Sequence, residues 1–184
     1  MTTLNLSTTE VSKTEGGHTT TTWSGSYSID TTSEWAAARW TSVGLPAGAV
    51  VSAAVLKLTV ANGTSDEPNH PVWLEDSATP AALGTGGSDI SGRTGTTANI
   101  TWSSTNLGAT SNSEFDLPDN TSSVQELVDS YGAIDTIVMF LRGSSSSSRD
   151  LQLSDEASYP AKYDITYTGG AAAYTPRLSL LGVG

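Results

Sequence analysis

Apolar and polar residues alternate with a period of two from residue 54 onward. Ala54, Leu56, Leu58 and Val60 fall on one side, and Val55, Lys57 and Thr59 on the other. Such alternation marks a half-buried β-strand, and it predicts a strand across the apolar run 50–61. The same period returns near the end of the chain. There Tyr163, Ile165 and Tyr167 share one face, and Lys162, Asp164 and Thr166 share the other. Shorter strands are predicted at 36–43, 72–75, 98–102, 114–117 and 150–154. The stretch TIVMFLR at 136–142 is apolar on both faces, as a central strand between two layers should be. Turn signals separate these runs: LPAG at 45–48, NGTSDEPNHP at 62–71, a Gly- and Ser-rich stretch at 77–97, and GSSSSS at 143–148.

One segment breaks the period. In SSVQELVDSYG, Val124, Leu127, Val128 and Tyr131 fall at i, i+3, i+4 and i+7, which is one helical stripe. Ser123 followed by Glu126 fits a capping box, and Gly132 fits a C-terminal stop. Roughly eight to ten short strands with one small helix predict an all-β fold, an antiparallel jelly-roll β-sandwich. Residues 1–22 are Thr-rich without a helical period and read as an N-terminal arm. The sandwich is placed at 23–168, and 169–184 reads as a linker followed by an apolar C-terminal tail.

Composition narrows the chemistry. The chain has 184 residues, enough for one domain with one core. Only 15% are charged, and 8 basic against 19 acidic residues give a net charge of −11. Nucleic acid and anionic membranes are poor partners for such a surface. There is no cysteine, so disulfides, thiolate metal sites and a cysteine nucleophile are all absent. The N-terminus has neither a basic region nor an apolar run, and it is not read as a signal peptide.

Candidate chemistry is sparse. His18 and His70 are the only histidines, and no nucleophile elbow, zinc-protease motif or phosphate loop accompanies them. The chain is therefore not expected to be an enzyme or to carry a cofactor. Asp66, Glu67, Asn69 and His70 sit in one loop without the spaced ladder of a calcium-binding loop, and read as a solvated acidic turn. Trp40 and Trp102 lie in apolar-patterned strands and are expected in the core. Trp23 and Trp35 flank a loop that also holds Tyr27. These three either form an aromatic platform for a sugar or pack against protein. In the tail, Tyr174, Leu178, Leu180 and Leu181 form an apolar segment suited to docking on a neighbouring subunit, or to closing the sandwich as its own last strand.

Four landmarks in order resemble the DNRLRE-type domains, jelly-roll modules similar to carbohydrate-binding modules. ARWTSVGLPAGAVVSAAVLKLTV resembles the family's strand, turn and A-x-L-x-L strand. TTANITW resembles its T-V-T-W element, FDLPDNTSSVQELV its helix, and LSDEASYPAKYDITYT its closing strand. The resemblance runs from about Ala36 to Thr168. Its N-terminal run of Asp and Asn is not visible here. The resemblance implies that Asp155 and Glu156 belong to a fold signature, with Glu156 bracing the turn before Pro160. Ligation of a structural calcium by Asp155 and Glu156 is the alternative it leaves open.

Such domains occur in bacterial and archaeal surface proteins and in phage virions. The resemblance, the missing export signal and the tail together lead to one expectation. The chain is a non-enzymatic structural protein of a tailed-phage virion, a capsid decoration protein made in the host cytoplasm and carried on the exterior of the capsid. Its partners are the major capsid protein, other virion proteins and sibling copies, in a homo-oligomer such as a trimer. The alternative is a carbohydrate- or cell-surface-binding module of a larger secreted protein, with a host-surface glycan as ligand.

Overall fold

A computed structural model describes residues 1–8, 10–15, 18–20, 27–29, 32–62, 69–84, 89–103, 113–143, 149–152 and 160–170. At 10–15, 18–20, 27–29, 60–62, 113 and 149–152 it describes the backbone alone. The elements run in the order β1 (Thr2–Ser7), β2 (Glu10–Glu15), β3 (His18–Thr20), β4 (Tyr27–Ile29), β5 (Trp35–Leu45), β6 (Ala49–Asn62) and β7 (His70–Leu74). Then come β8 (Ile100–Trp102), β9 (Ser113–Asp116), α1 (Thr121–Tyr131), β10 (Ile134–Arg142), β11 (Arg149–Gln152) and β12 (Lys162–Gly169).

The strands form two antiparallel sheets, and the fold is an all-β sandwich with one short helix. In the first sheet, β12 and β11 lie end to end along one edge of β6, and β9 pairs along the other. β1 flanks β12 and β4 flanks β11. The second sheet has the order β3-β2-β5-β10-β7-β8. The core lies between them. Ala36, Ala38 and Trp40 of β5, Leu56 and Leu58 of β6, Ile137, Met139 and Leu141 of β10, and Tyr163 and Ile165 of β12 are all sealed from solvent. Each large apolar side chain so buried contributes roughly 1.5–3 kcal/mol. The alternation read at 54–60 is thus the core face of β6, as far as its side chains are described. Trp40 and Trp102 are both fully buried.

The buried polar groups of Trp40 and Tyr163 have partners, whereas the Trp102 indole N–H has no hydrogen-bond partner among the described residues. The Trp40 indole N–H donates to the Ala161 carbonyl at 3.3 Å, and its ring lies 5.4 Å from that of Tyr163. The Asn120 amide donates to the Tyr163 hydroxyl at 3.3 Å. Burial raises the Tyr163 phenol pKa well above its ordinary value.

The segment 1–22 departs from its expected role as an arm. β1 pairs with β12 over six register positions, and β2 pairs with β5 in the other sheet. Thr8, between them, is buried and tied to both layers. Its N–H donates to the Ala161 carbonyl at 2.8 Å and its hydroxyl to the Arg39 carbonyl at 3.0 Å. Thr-rich sequence disguised these strands, because their polar residues alternate with few apolar ones. Leu4 and Leu6 are the two that pack on the core.

The helix begins earlier than its capping motif suggested. Thr121 is its first residue, and Asn120 stands at the N-cap without a side-chain cap bond. Ser123 and Glu126 do not form a capping box. The Ser123 hydroxyl donates to the Ala98 carbonyl, and Glu126 accepts the N–H groups of Thr97 and Ala98 at 2.7 and 2.8 Å. Both residues are drawn to the neighbouring loop, whose backbone donors would otherwise lack partners. Gly132 ends the helix as expected, with φ +81° and its N–H on the Val128 carbonyl. Tyr131 leaves the apolar stripe. It is 38% exposed and donates its hydroxyl to Asp76 at 2.9 Å. At 11 residues, α1 is too short to cross a membrane, and among the described residues no helix is long and apolar enough to do so.

Candidate functional site

The outer face of the second sheet carries the unusual chemistry. Because Ala36, Ala38 and Trp40 point to the core, Trp35, Ala37 and Arg39 point away from it. Register sets Arg142, Phe140 and Val138 of β10 beside them, and Trp73 of β7 beside Phe140. This explains why β10 is apolar on both faces. One face meets the sandwich core, and the other meets the loop between β7 and β8, where Leu83 and Ile90 pack onto Ala37, Val138 and Phe140.

Arg93 holds that loop in place. Its side chain is 7% exposed. Nη1 donates to Glu75 at 2.5 Å and to the Ala81 carbonyl at 3.1 Å. Nη2 donates to the Ala82 carbonyl at 3.0 Å and to Asp89 at 3.2 Å, and Nε donates to the Asp89 carbonyl at 3.0 Å. Asp89 also accepts the Gly84 N–H at 2.7 Å. A planar fork of five donors is what such an array of acceptors requires. Backbone bonds from Asp76 to Thr94 and from Thr96 to Leu74 pin the loop's return against β7.

Through Leu83 and Ile90 the loop fully covers Ala37 and Val138 but leaves Trp35 and Trp73 half-buried. The two indoles lie 6.0 Å apart with 32° between their planes. Phe140 stacks on Trp73 at 5.7 Å and 25°, and the Arg142 guanidinium sits 5.8 Å from the centre of the Trp35 ring. Gly95 lies flat against Trp73, and a Cβ there would come within 2.9 Å of the ring. Trp35, Trp73, Phe140, Arg93 and Gly95 line a cleft of about 200 Å³. A second hollow of about 430 Å³ adjoins it, lined by Glu75, Asp76, Asp89, Thr94 and again Arg93. The Asp76 carboxylate, accepting the Tyr131 hydroxyl, holds that phenol's proton above its ordinary pKa. The pair of hollows offers non-covalent contact, with ring surface beside hydrogen-bonding acids.

The candidate residues fall unevenly. Trp23, Asp155, Glu156, Tyr174, Leu178, Leu180 and Leu181 lie outside the described residues. Tyr27 lies in β4 at the edge of the first sheet, opposite Leu151, whereas Trp35 opens β5 in the second. The described rings around Trp35 are Trp73 and Phe140, partners that the linear grouping with Trp23 and Tyr27 missed. A signal for Trp73 was present: in HPVWL, Val72 and Leu74 point inward, so period two sends Trp73 out. Arg93 had none, because its role depends on carbonyls gathered by the loop. His70 is wholly buried, its ring 5.7 Å from that of Trp102 in the sandwich, not in a solvated turn. Among the described residues no three His, Asp or Glu side chains gather to hold a metal ion. A scan against protein-family models finds no match, and a search of curated proteins finds no relative.

Proposed function

We propose that this chain is a non-enzymatic structural protein of a tailed-phage particle, a decoration protein displayed on the outside of the capsid. The observation that supports it is the use made of polar side chains. Arg93, Glu75 and Asp89 fasten a loop, while Gln125 and Asp119 take the N–H groups of Val51 and Ala54. His70 is shut away from any substrate. These groups brace a scaffold, and the described strands β5, β6, β8 and β12 and the helix α1 overlap the sequence landmarks that resemble DNRLRE-type domains. The apolar segment with Tyr174, Leu178, Leu180 and Leu181 follows β12 and supplies a docking element for capsid or sibling copies. A net charge of −11 keeps free copies apart until that element engages.

Light scattering on the full chain and on a chain ending at Gly169 tests this reading. The shorter chain keeps every described strand. The full chain should form a defined oligomer or bind phage heads, and the shorter one should do neither. If both remain monomers and neither binds heads, the reading fails. A second reading, a recognition module for a cell surface, is favoured by one observation, the half-buried Trp35 and Trp73 in a cleft on the outer face.

A further inference from the structure

We infer that the free outer edge of β1 receives the C-terminal tail of a second copy of this chain, which joins the first sheet as one more strand. The inference rests on the docking role proposed for the tail and names the surface that the tail meets.

Among the described residues, β1 ends the first sheet and pairs with β12 alone. Its other edge is a row of backbone N–H and C=O groups, a template for a further strand. At six residues β1 is the longest edge strand described; β9 has four, and β3, β4 and β8 have three each. Nothing in it blunts that edge. Thr2–Ser7 contains no proline and no charged side chain, and its pairing with β12 runs six positions without a bulge. Leu4 and Leu6 pack on the core but keep part of their surface exposed. A strand added beside them, with apolar residues two apart, covers that remainder.

The tail supplies the match. In PRLSLL at 176–181, which lies outside the described residues, Leu178 and Leu180 are two apart, as Leu4 and Leu6 are. Arg177 is the one charged side chain after Asp164, so the tail brings a cation to a chain of net charge −11. Two features of the fold direct it to another copy. β12 is occupied on both sides, by β6 and by β1, so the tail cannot fold back as its hairpin partner. The chain also leaves β12 on the side away from β1. Gly169 pairs with Ala49 of β6, and Gly170 lies so close to the turn before β6 that a Cβ there would come within 2.4 Å of Pro46. Positive φ at both glycines, +71° and +87°, sets this exit. A strand on its own β1 would lie two strand spacings from β12, roughly 10 Å, on the opposite side. A strand added to a sheet edge gains main-chain hydrogen bonds along its length and seats alternate side chains.

The chain has no cysteine, so introduced thiols report the contact without background. Full-length chain with Ser179→Cys is mixed with full-length chain carrying Thr3→Cys, Asn5→Cys or Ser7→Cys, and the mixture is oxidised. Glu114→Cys, in β9 at another edge of the same sheet, is the control. A cross-linked pair of chains should form with at least one β1 position and not with the control. Asn5→Lys should weaken self-association at least about tenfold at unchanged melting temperature. Its charge blunts the edge and repels Arg177, while facing Asp164 of β12 within the fold. Self-association that needs the tail but neither cross-links to β1 nor responds to Asn5→Lys overturns the inference and leaves the docking role standing. Closure of a chain with both Ser179→Cys and Asn5→Cys onto itself overturns it in favour of a tail that completes its own sandwich. Asn5→Cys linking only to its own kind overturns it in favour of two β1 edges pairing. A full chain that stays monomeric at every concentration also overturns it, and binding of that monomer to phage heads would still leave the docking role standing.

Discussion

Arg93 shows how much one side chain can organise. Its removal would leave Glu75 and Asp89 facing each other's charge and three loop carbonyls without its donors. Breaking a buried ion pair costs about 3–5 kcal/mol. Asp89 is 24% exposed, so the expected loss for Arg93→Ala is lower, roughly 2–3 kcal/mol. Arg93→Lys should recover little of it, since an ammonium cannot span acceptors set for a planar fork. Urea midpoints of the three proteins check both statements. Tyr163 makes a second residue-level prediction. Its folded pKa is raised above the ordinary 10.0, chiefly by burial, with a smaller opposing effect from the Asn120 hydrogen bond. Below pH 10.0 both states keep the proton and stability is unaffected. Above it the unfolded chain ionises first, so stability falls by about 1.4 kcal/mol per pH unit for this group. Tyr163→Phe should show a shallower fall above pH 10.0 in pH-dependent unfolding.

At the scale of elements, the N-terminal strands decide between a detachable arm and a structural part. Leu4 and Leu6 are partly buried, and β1 covers the edge of β12 that carries Tyr163 and Ile165. Deleting residues 1–8 should therefore cost roughly 2 kcal/mol or more and lower the melting temperature by several degrees. An arm would come away with no change. The strands from β5 to β12 were legible wherever one face is apolar, as in Leu56 and Leu58 or Tyr163 and Ile165. β1 was not legible, because Thr and Asn at its outward positions leave only two apolar residues to show a period. The helix was legible by its stripe but not by its start, because Glu126 answers to Thr97 and Ala98 across space. The cleft was half legible. Trp35 was singled out by its loop, whereas Trp73, Gly95 and Arg93 join it only through strand register and the path of a long loop.

At the scale of the molecule, the two outer faces differ. On the first sheet, Lys57 pairs with Asp164 at 2.8 Å, half-buried, and Lys162 with Glu114 at 2.5 Å at the surface, solvent-accessible pairs that contribute little stability but keep that face wet. On the second, an aromatic cleft and an acidic hollow lie beside a braced loop. In the proposed role, one side of the sandwich meets the assembly and another meets the surroundings. The deciding measurement is a protein inventory of purified tailed-phage particles by mass spectrometry, with an antibody against this chain to label intact particles. The chain should be present at a fixed copy number per particle and should be labelled from outside. Its absence from particles, with all of it recovered as free protein, would contradict the proposed function.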